Sequence, residues 1–277
     1  MRKIIDWSMS GAAMMATLCG LIPLILISMH LLRRGISSIN LDFFTHMPQP
    51  VGEPGGGMAN AIIGTCLMVG IATAIALPIG LLGGLYLSEF GERRTGAAVR
   101  FAADMLNGIP SIVIGIFVYG FVVVPLGHFS AMAGGIALSI IMMPMILRNT
   151  EEMLRLVPHA LREAALALGI PYWKTLLRVV LVTARRGIVT GILLALARIA
   201  GETAPLLFTA LGNQFWSLRL DQPMAALPLQ IFTYAISPFE EWQQQAWSGA
   251  LVLIGIVVIL SLLSRWMVRV PQVKTDG

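Results

Sequence analysis

The sequence predicts an all-α integral membrane protein with six transmembrane helices and both termini in the cytoplasm. Three observations lead there. Of 277 residues, 57% are hydrophobic and only 12% charged, with a mean hydropathy of +0.81; a soluble domain carries roughly 25% charged residues. The apolar residues gather into runs of about 20, long enough to cross a hydrocarbon core as helix. The basic residues fall between these runs, so membrane topology, and not nucleic acid, accounts for the net charge of +5.

The predicted spans are 11–32, 61–88, 104–127, 131–147, 187–211 and 246–267. The first follows Met1-Arg2-Lys3 and runs apolar from Gly11 to Leu32. That exceeds the roughly 7–15-residue core of a signal peptide, and no clean small-x-small site follows, so it reads as an uncleaved span. Pro23, Pro78, Pro110, Pro144 and Pro205 fall within spans, which membrane helices tolerate when neighbours satisfy the freed carbonyls. "PLGHFSAMAGG" reads as the turn between spans three and four.

Two segments between spans are long. "GISSINLDFFTHMPQPVGEPGGGMAN" is rich in Gly and Pro and reads as an irregular loop. The segment from Gly212 to Gln245 contains "MAALPLQIFTYAI", predicted as a short helix along the interface, with Trp216, Trp242 and Trp247 at headgroup level. The chain therefore divides into residues 1–60 (first helix and outer loop), a core of five spans over 61–267 with a cytoplasmic loop at 148–186, and a tail at 268–277.

Orientation follows from the basic residues. With the N-terminus inside, Arg2, Lys3, Arg93, Arg94, Arg100, Arg148, Arg155, Arg162, Lys174, Arg178, Arg185, Arg186, Arg265, Arg269 and Lys274 are cytoplasmic, fifteen of nineteen. Arg33, Arg34 and Arg219 face outward and Arg198 stays in the membrane. The excess places both termini inside.

Other chemistries find little support. Cys19 and Cys66 both lie in apolar segments, where a free cysteine acts as a small hydrophobe. The four histidines form no metal-ligand spacing. Lys3, Lys174 and Lys274 are the only lysines, and none ends a G-x-x-x-x-G-K-[ST] phosphate loop. The chain is not expected to be an enzyme or to hold a cofactor. Any ATP and Mg belong to a partner.

The cytoplasmic loop is helix-forming but broken at Pro158 and at Gly169-Ile170-Pro171. "LREAALAL" reads as a two-turn helix with a small-residue surface, capped by Gly169, and Pro171 opens the next helix. Tyr172, Trp173, Leu176 and Leu177 then form an apolar face. Such a helix suits a groove on another protein, or it lies on the lipid surface.

In "EAALALG", Glu163, Ala164, Ala165 and Gly169 match the E-A-A-x-x-x-G core of bacterial ABC-importer permeases, which the chain resembles. The resemblance implies the type I importer permease architecture and a coupling helix that docks into an ATPase. The family pattern continues as I-x-L-P, but here Val182 replaces the proline. This predicts a softer helix break before the fifth span, or one moved to Arg185-Arg186-Gly187. The blocks "GTCLMVGIATAIALPIGLLGGLYLSEFG", "FAADMLNGIPSIVIGIFVYG", "TEEMLRLVPHALREAALALG" and "ARIAGETAPLLFTALG" are similar to the PstA-type permeases of phosphate-specific transport. That implies a sister permease (PstC), two copies of an ATPase (PstB), an external phosphate-binding protein (PstS) and a bacterial inner-membrane location.

"ALARIAGETAPLLFTAL" carries Arg198 and Glu202 within an apolar span, spaced to share a helix face. A lone charge at bilayer depth costs about 2.5–3.5 kcal/mol on the insertion scale. One reading is a self-neutralised pair. The other is that Arg198 meets a phosphate oxyanion with its planar fork while Glu202 keeps binding weak enough for release. Thr203 and Thr209 add hydroxyls, and Gly201 with Pro205 makes a flexible point. The family's matching arginine is associated with transport, which favours the functional reading.

Asp104, Asn107 and Ser111 are secondary candidates; Thr65 and Thr73 are expected to bond carbonyls one turn back. Gly80-x-x-x-Gly84 and Gly187-x-x-x-Gly191 allow close helix contact. Competing functions are a permease for molybdate or sulfate, an ion-coupled secondary transporter, and a membrane sensor that only scaffolds partners. The secondary transporter predicts repeated halves and several intramembrane carboxylates, whereas only Glu202 is deep.

Overall fold

Backbone groups removed from water must bond one another, and in an apolar chain the helix achieves this within each segment. The computed structural model describes residues 2–50, 53, 56–91 and 94–268, and no strand forms among them. Arg93, Arg269, Lys274 and the tail 269–277 lie outside the described residues, as does part of the first long loop.

Among the described residues, eleven helices follow in order, besides a single 3-10 turn at Ile36–Ser38. They are α1 (Arg2–Gly35), α2 (Leu41–Thr45), α3 (Ala59–Phe90), α4 (Arg94–Gly108), α5 (Ser111–Leu126), α6 (Ala131–Arg155), α7 (His159–Ala167), α8 (Tyr172–Ala200), α9 (Ala204–Thr209), α10 (Leu227–Ala235) and α11 (Glu240–Val268). Five of them (α1, α3, α6, α8 and α11) are long and apolar enough to span, and α4 with α5 is a pair bent by 101° that is apolar enough to make either a broken sixth span or a re-entrant loop.

The core is built around α6, whose side chains are buried along most of its length. Met68, Ala72 and Ala76 of α3 pack on Leu138, Ile141, Met142 and Ile146 of α6, joined by Ala195 and Ile199 of α8. Backbones approach closely at the glycines. A Cβ on Gly84 would lie 2.6 Å from the Leu147 carbonyl, and one on Gly191 2.0 Å from the Asn149 side chain. Gly80 meets Ile146 and Gly187 meets Met153 in the same way, so both small-residue spacings seat helices on α6.

α1 stands apart. Its C-terminal end packs on α11, where Ser248 Oγ donates to the Gly35 carbonyl at 2.7 Å and His30 lies edge-on to Trp247. Most of its apolar side chains are left uncovered by this chain.

Several boundaries correct the sequence reading. The third span is not one helix over 104–127: it breaks at Ile109-Pro110, because Pro110 offers no N–H and pushes Ile109 out of helical geometry. The fifth is not continuous over 187–211. Helix α8 begins at Tyr172 and ends at Ala200, Gly201-Glu202-Thr203 is non-helical, and Pro205 sits in the first turn of α9. A proline at 205 would clash with the Gly201 carbonyl were the helix to continue. By contrast Pro23, Pro78 and Pro144 stay inside α1, α3 and α6.

No break occurs at Arg185-Arg186-Gly187. With valine at 182 the ladder keeps its N–H, and the only irregularity is a π turn at Leu176–Val180. The first long loop is less irregular than expected: Asn40 caps α2 by accepting from the Phe43 N–H at 2.8 Å, and Phe43 is buried. "MAALPLQIFTYAI" does form a helix, α10, and its Tyr234 stacks on Trp242 with ring centroids 4.7 Å apart.

Candidate functional site

The two helix breaks meet. α5 and α9 pack so closely that a Cβ on Gly115 would lie 2.7 Å from the Pro205 Cα. Between the breaks is a cavity of about 140 Å³ whose wall includes Asn107, Pro110, Ser111, Ile141, Arg198 and Glu202. Arg198 lies about 18 Å along α8 from Arg186, taking 1.5 Å per residue. Irregular backbone at such depth is tolerated where it lines a cavity or is buried in protein.

Arg198 and Glu202 do not share a helix face as the spacing suggested, since the helix ends between them. Arg198 Nε is 3.9 Å from Glu202 Oε1, and the arginine side chain is 54% exposed against 18% for the glutamate. Among the described residues Arg198 has no other ion-pair or hydrogen-bond partner for its side chain. A pair existing only to neutralise itself would be short and buried. This one is loose, and the planar donor fork stays largely free for an anion's oxygens.

The other candidates separate. Asn107 and Ser111 line the cavity with Arg198 and Glu202. Thr203 precedes α9, where its carbonyl accepts from the Leu206 N–H, and it is not in the cavity wall. Thr209 is buried and donates to the Pro205 carbonyl at 2.8 Å, so its hydroxyl is occupied. Asp104 pairs with Arg148 at 3.1 Å. Thr65 and Thr73 bond the carbonyls of Ala61 and Val69 as expected, and Thr65 also accepts from the Leu227 N–H at 2.7 Å.

Helix α7 matches the predicted two-turn element. Gly169 has φ +74°, its N–H donates to the Leu166 carbonyl, and the Ile170 N–H donates to Ala165, closing a Schellman cap. Glu163, Ala164 and Gly169 are exposed, whereas Ala165 is buried against the rest of the chain. Exposed Leu161, Leu166, Leu168 and Trp173 surround them.

Sequence reasoning missed two ionic joints, near the C-terminal ends of α6 and α3. Glu151, fully buried in α6, receives Arg100 Nε at 2.6 Å, Arg148 Nη1 at 2.8 Å and Arg155 Nη2 at 3.0 Å. Arg148 and Arg155 sit three before and four after it, a visible helical signal. Arg100, fifty-one residues away, gives none. The second joint is Glu89, which accepts from Arg162 Nη1 at 2.5 Å and from the Tyr172 hydroxyl.

Residues 76–272 match the family described as binding-protein-dependent transport system inner membrane component. The chain belongs to that family. Its members are permease components of transporters, and this member is a multi-pass protein of the cell membrane with the type I ABC-importer permease fold.

Among relatives, a Yersinia pestis protein named phosphate transport system permease protein PstA is 50% identical, over 91% of this chain and 86% of that one. A Methanocaldococcus jannaschii protein named probable phosphate transport system permease protein PstA is 37% identical, over 91% and 90%. Of solved structures, an inward-facing MetNI methionine ABC transporter superposes with TM-score 0.60 at 20% identity, covering 76% of this chain and 98% of that one. The last shows the fold alone.

Proposed function

We propose that the chain is a membrane permease subunit of an ABC importer that moves inorganic phosphate into the cell. The carrying observation is Arg198, a loosely paired guanidinium in the wall of a cavity formed by two helix breaks. It supplies positive charge and parallel donors at membrane depth, and the neighbouring Glu202 limits how tightly an anion is held. The permease names of relatives at up to 50% identity point to the same substrate. Molybdate or sulfate is the alternative cargo.

In this reading the partners are a sister permease of the PstC kind, two copies of a PstB-type ATPase holding ATP and Mg, and an external PstS-type phosphate-binding protein. Arg198 and Glu202 lie on the substrate path, with Thr203 beside them in the non-helical turn. Glu163, Ala164 and Gly169 face the ATPase, and Ala165 seats α7 from behind.

Phosphate uptake tests the cargo. Expressed in cells lacking their own PstA-type permease, the chain restores ATP-dependent uptake of radiolabelled phosphate, and sulfate and molybdate in tenfold excess compete weakly. Uptake that survives ATP depletion and follows an ion gradient would instead establish a secondary transporter.

Orientation is tested with reporter fusions. An enzyme active only in the cytoplasm works after Arg100 or Arg155 and fails after Gly127 or Gln222. The reverse pattern would invert the topology.

Replacing Gly169 by leucine puts a side chain where φ is +74°, at a cost of about 1–2 kcal/mol, and adds bulk to the docking face. The variant is expected to reach the membrane at near-normal levels while uptake falls. Normal uptake with normal ATPase association would remove α7 from the coupling surface.

A further inference from the structure

Glu89 lies in the last turn of α3, yet its side chain is only 2% exposed. It accepts from Arg162 of α7 at 2.5 Å and from the hydroxyl of Tyr172, the first residue of α8. Arg162 Nη2 also donates to the Leu154 carbonyl in α6 at 3.2 Å. One carboxylate and one guanidinium thus gather the C-terminal ends of α3 and α6 with α7 and the start of α8. Ala165 is the only buried residue of α7. With so little apolar attachment, the helix depends on Arg162 for its seat.

The path continues from the same corner of α3. The carbonyls of Leu87 and Gly91 accept from Arg100 of α4 at 3.3 and 2.8 Å, and Arg100 is held to Glu151 of α6. Seven residues beyond Arg100, about 10 Å along the helix, α4 reaches Asn107 in the cavity wall. Each step from α7 to the cavity is an ion pair, a hydrogen bond or a rigid helix, the kind of contiguous link that carries displacement.

We propose that Glu89 is the positioning residue that makes the coupling helix and the α3–α4 corner move as one body, conveying motion of a docked ATPase to the cavity at Arg198. The proposal rests on the reading of α7 as the ATPase-docking element.

The test uses the assembled transporter carrying Ile109→Cys in the cavity wall, with Cys19 and Cys66, the only native cysteines, changed to serine. The rate of maleimide labelling at position 109 is read with and without ATP and Mg, alongside ATP hydrolysis. In this parent, ATP is expected to change the labelling rate about fivefold or more. Glu89→Gln keeps the shape but not the charge, and is expected to abolish that change while hydrolysis stays within about twofold. Exchanging the charges (Glu89→Arg with Arg162→Glu) re-forms the ion pair without the donor to the Leu154 carbonyl, and is expected to restore it in part.

An unchanged ATP response in Glu89→Gln overturns the proposal, as does parallel loss of labelling response and hydrolysis. Should Glu89→Gln fail to assemble, the exchange variant decides: recovery of the ATP response supports the joint, and no recovery overturns it. A parent that binds no ATPase would instead overturn the functional reading of α7 itself.

Discussion

Arg198→Lys is expected to lose most phosphate uptake while the transporter still assembles and binds its ATPase. Lysine keeps the charge but replaces a planar two-donor fork by a point charge on a flexible stem. Losing one charge-assisted hydrogen bond costs about 1.5–3 kcal/mol, which corresponds to a fall of roughly ten- to a hundredfold in rate when the bond is made in the transition state. Arg198→Ala is expected to abolish uptake.

Initial rates of phosphate uptake, normalised to membrane-inserted protein, distinguish the two readings of the pair. Near-normal uptake in Arg198→Lys would make it a structural ion pair. So would full recovery in a chain carrying both Arg198→Ala and Glu202→Ala, since nothing would then be left to contact the anion. The 3.9 Å separation and the exposed guanidinium favour the functional outcome.

Glu151→Ala should produce the largest loss of stability. The carboxylate is fully buried and satisfies three guanidinium groups. Removing one side of a buried ionic cluster leaves charge uncompensated and costs about 3–5 kcal/mol. Arg100 keeps its carbonyl partners on α3, and Arg148 keeps Asp104; half-exposed Arg155 adds little. The expected loss is therefore near the low end, about 3 kcal/mol, seen as a fall of roughly 6–12 °C in the Tm of detergent-solubilised protein. Glu151→Gln should fall between. A Tm unchanged in Glu151→Ala would mean that solvent already screens the cluster.

How far the sequence predicted this arrangement depended on the range of the interaction. Four of the six spans were legible because runs of about twenty largely apolar residues satisfy a constraint set by lipid thickness. Cap chemistry was legible too: Gly169 must sit at the end of α7, and Pro171 opens α8, for reasons local to the backbone. The glycine spacings marked true close approaches because the alternative, a Cβ, has no room beside α6.

Prolines divided. Pro78 and Pro144 look no different in sequence from Pro110 and Pro205, and only tertiary packing decides which one breaks its helix. The missed break at Gly201 also misplaced Glu202, which the i,i+4 rule put on a face that ends before it. Arg198, Glu202, Asn107 and Ser111 were all singled out as candidates, but their meeting in one cavity was not predictable, because it is made by two breaks some ninety residues apart in the chain. Glu89 and Glu151 were passed over for a related reason. Their decisive partners, seventy-three and fifty-one residues distant, leave no periodic trace.

The attachment of α1 has a consequence for biosynthesis. Its main dock within this chain is α11, and Ser248 is 213 residues from Gly35 in sequence. Ribosomes add about 5–20 residues per second, so the first helix waits roughly 10–40 s in the bilayer before the last is made. During that interval α1 must persist with lipid on every side. A helix with one polar stripe would fail that wait. The absence of any Asp, Glu, Lys or Arg from residues 11–32 is what a solitary insertion intermediate requires, independent of anything the finished transporter asks of it.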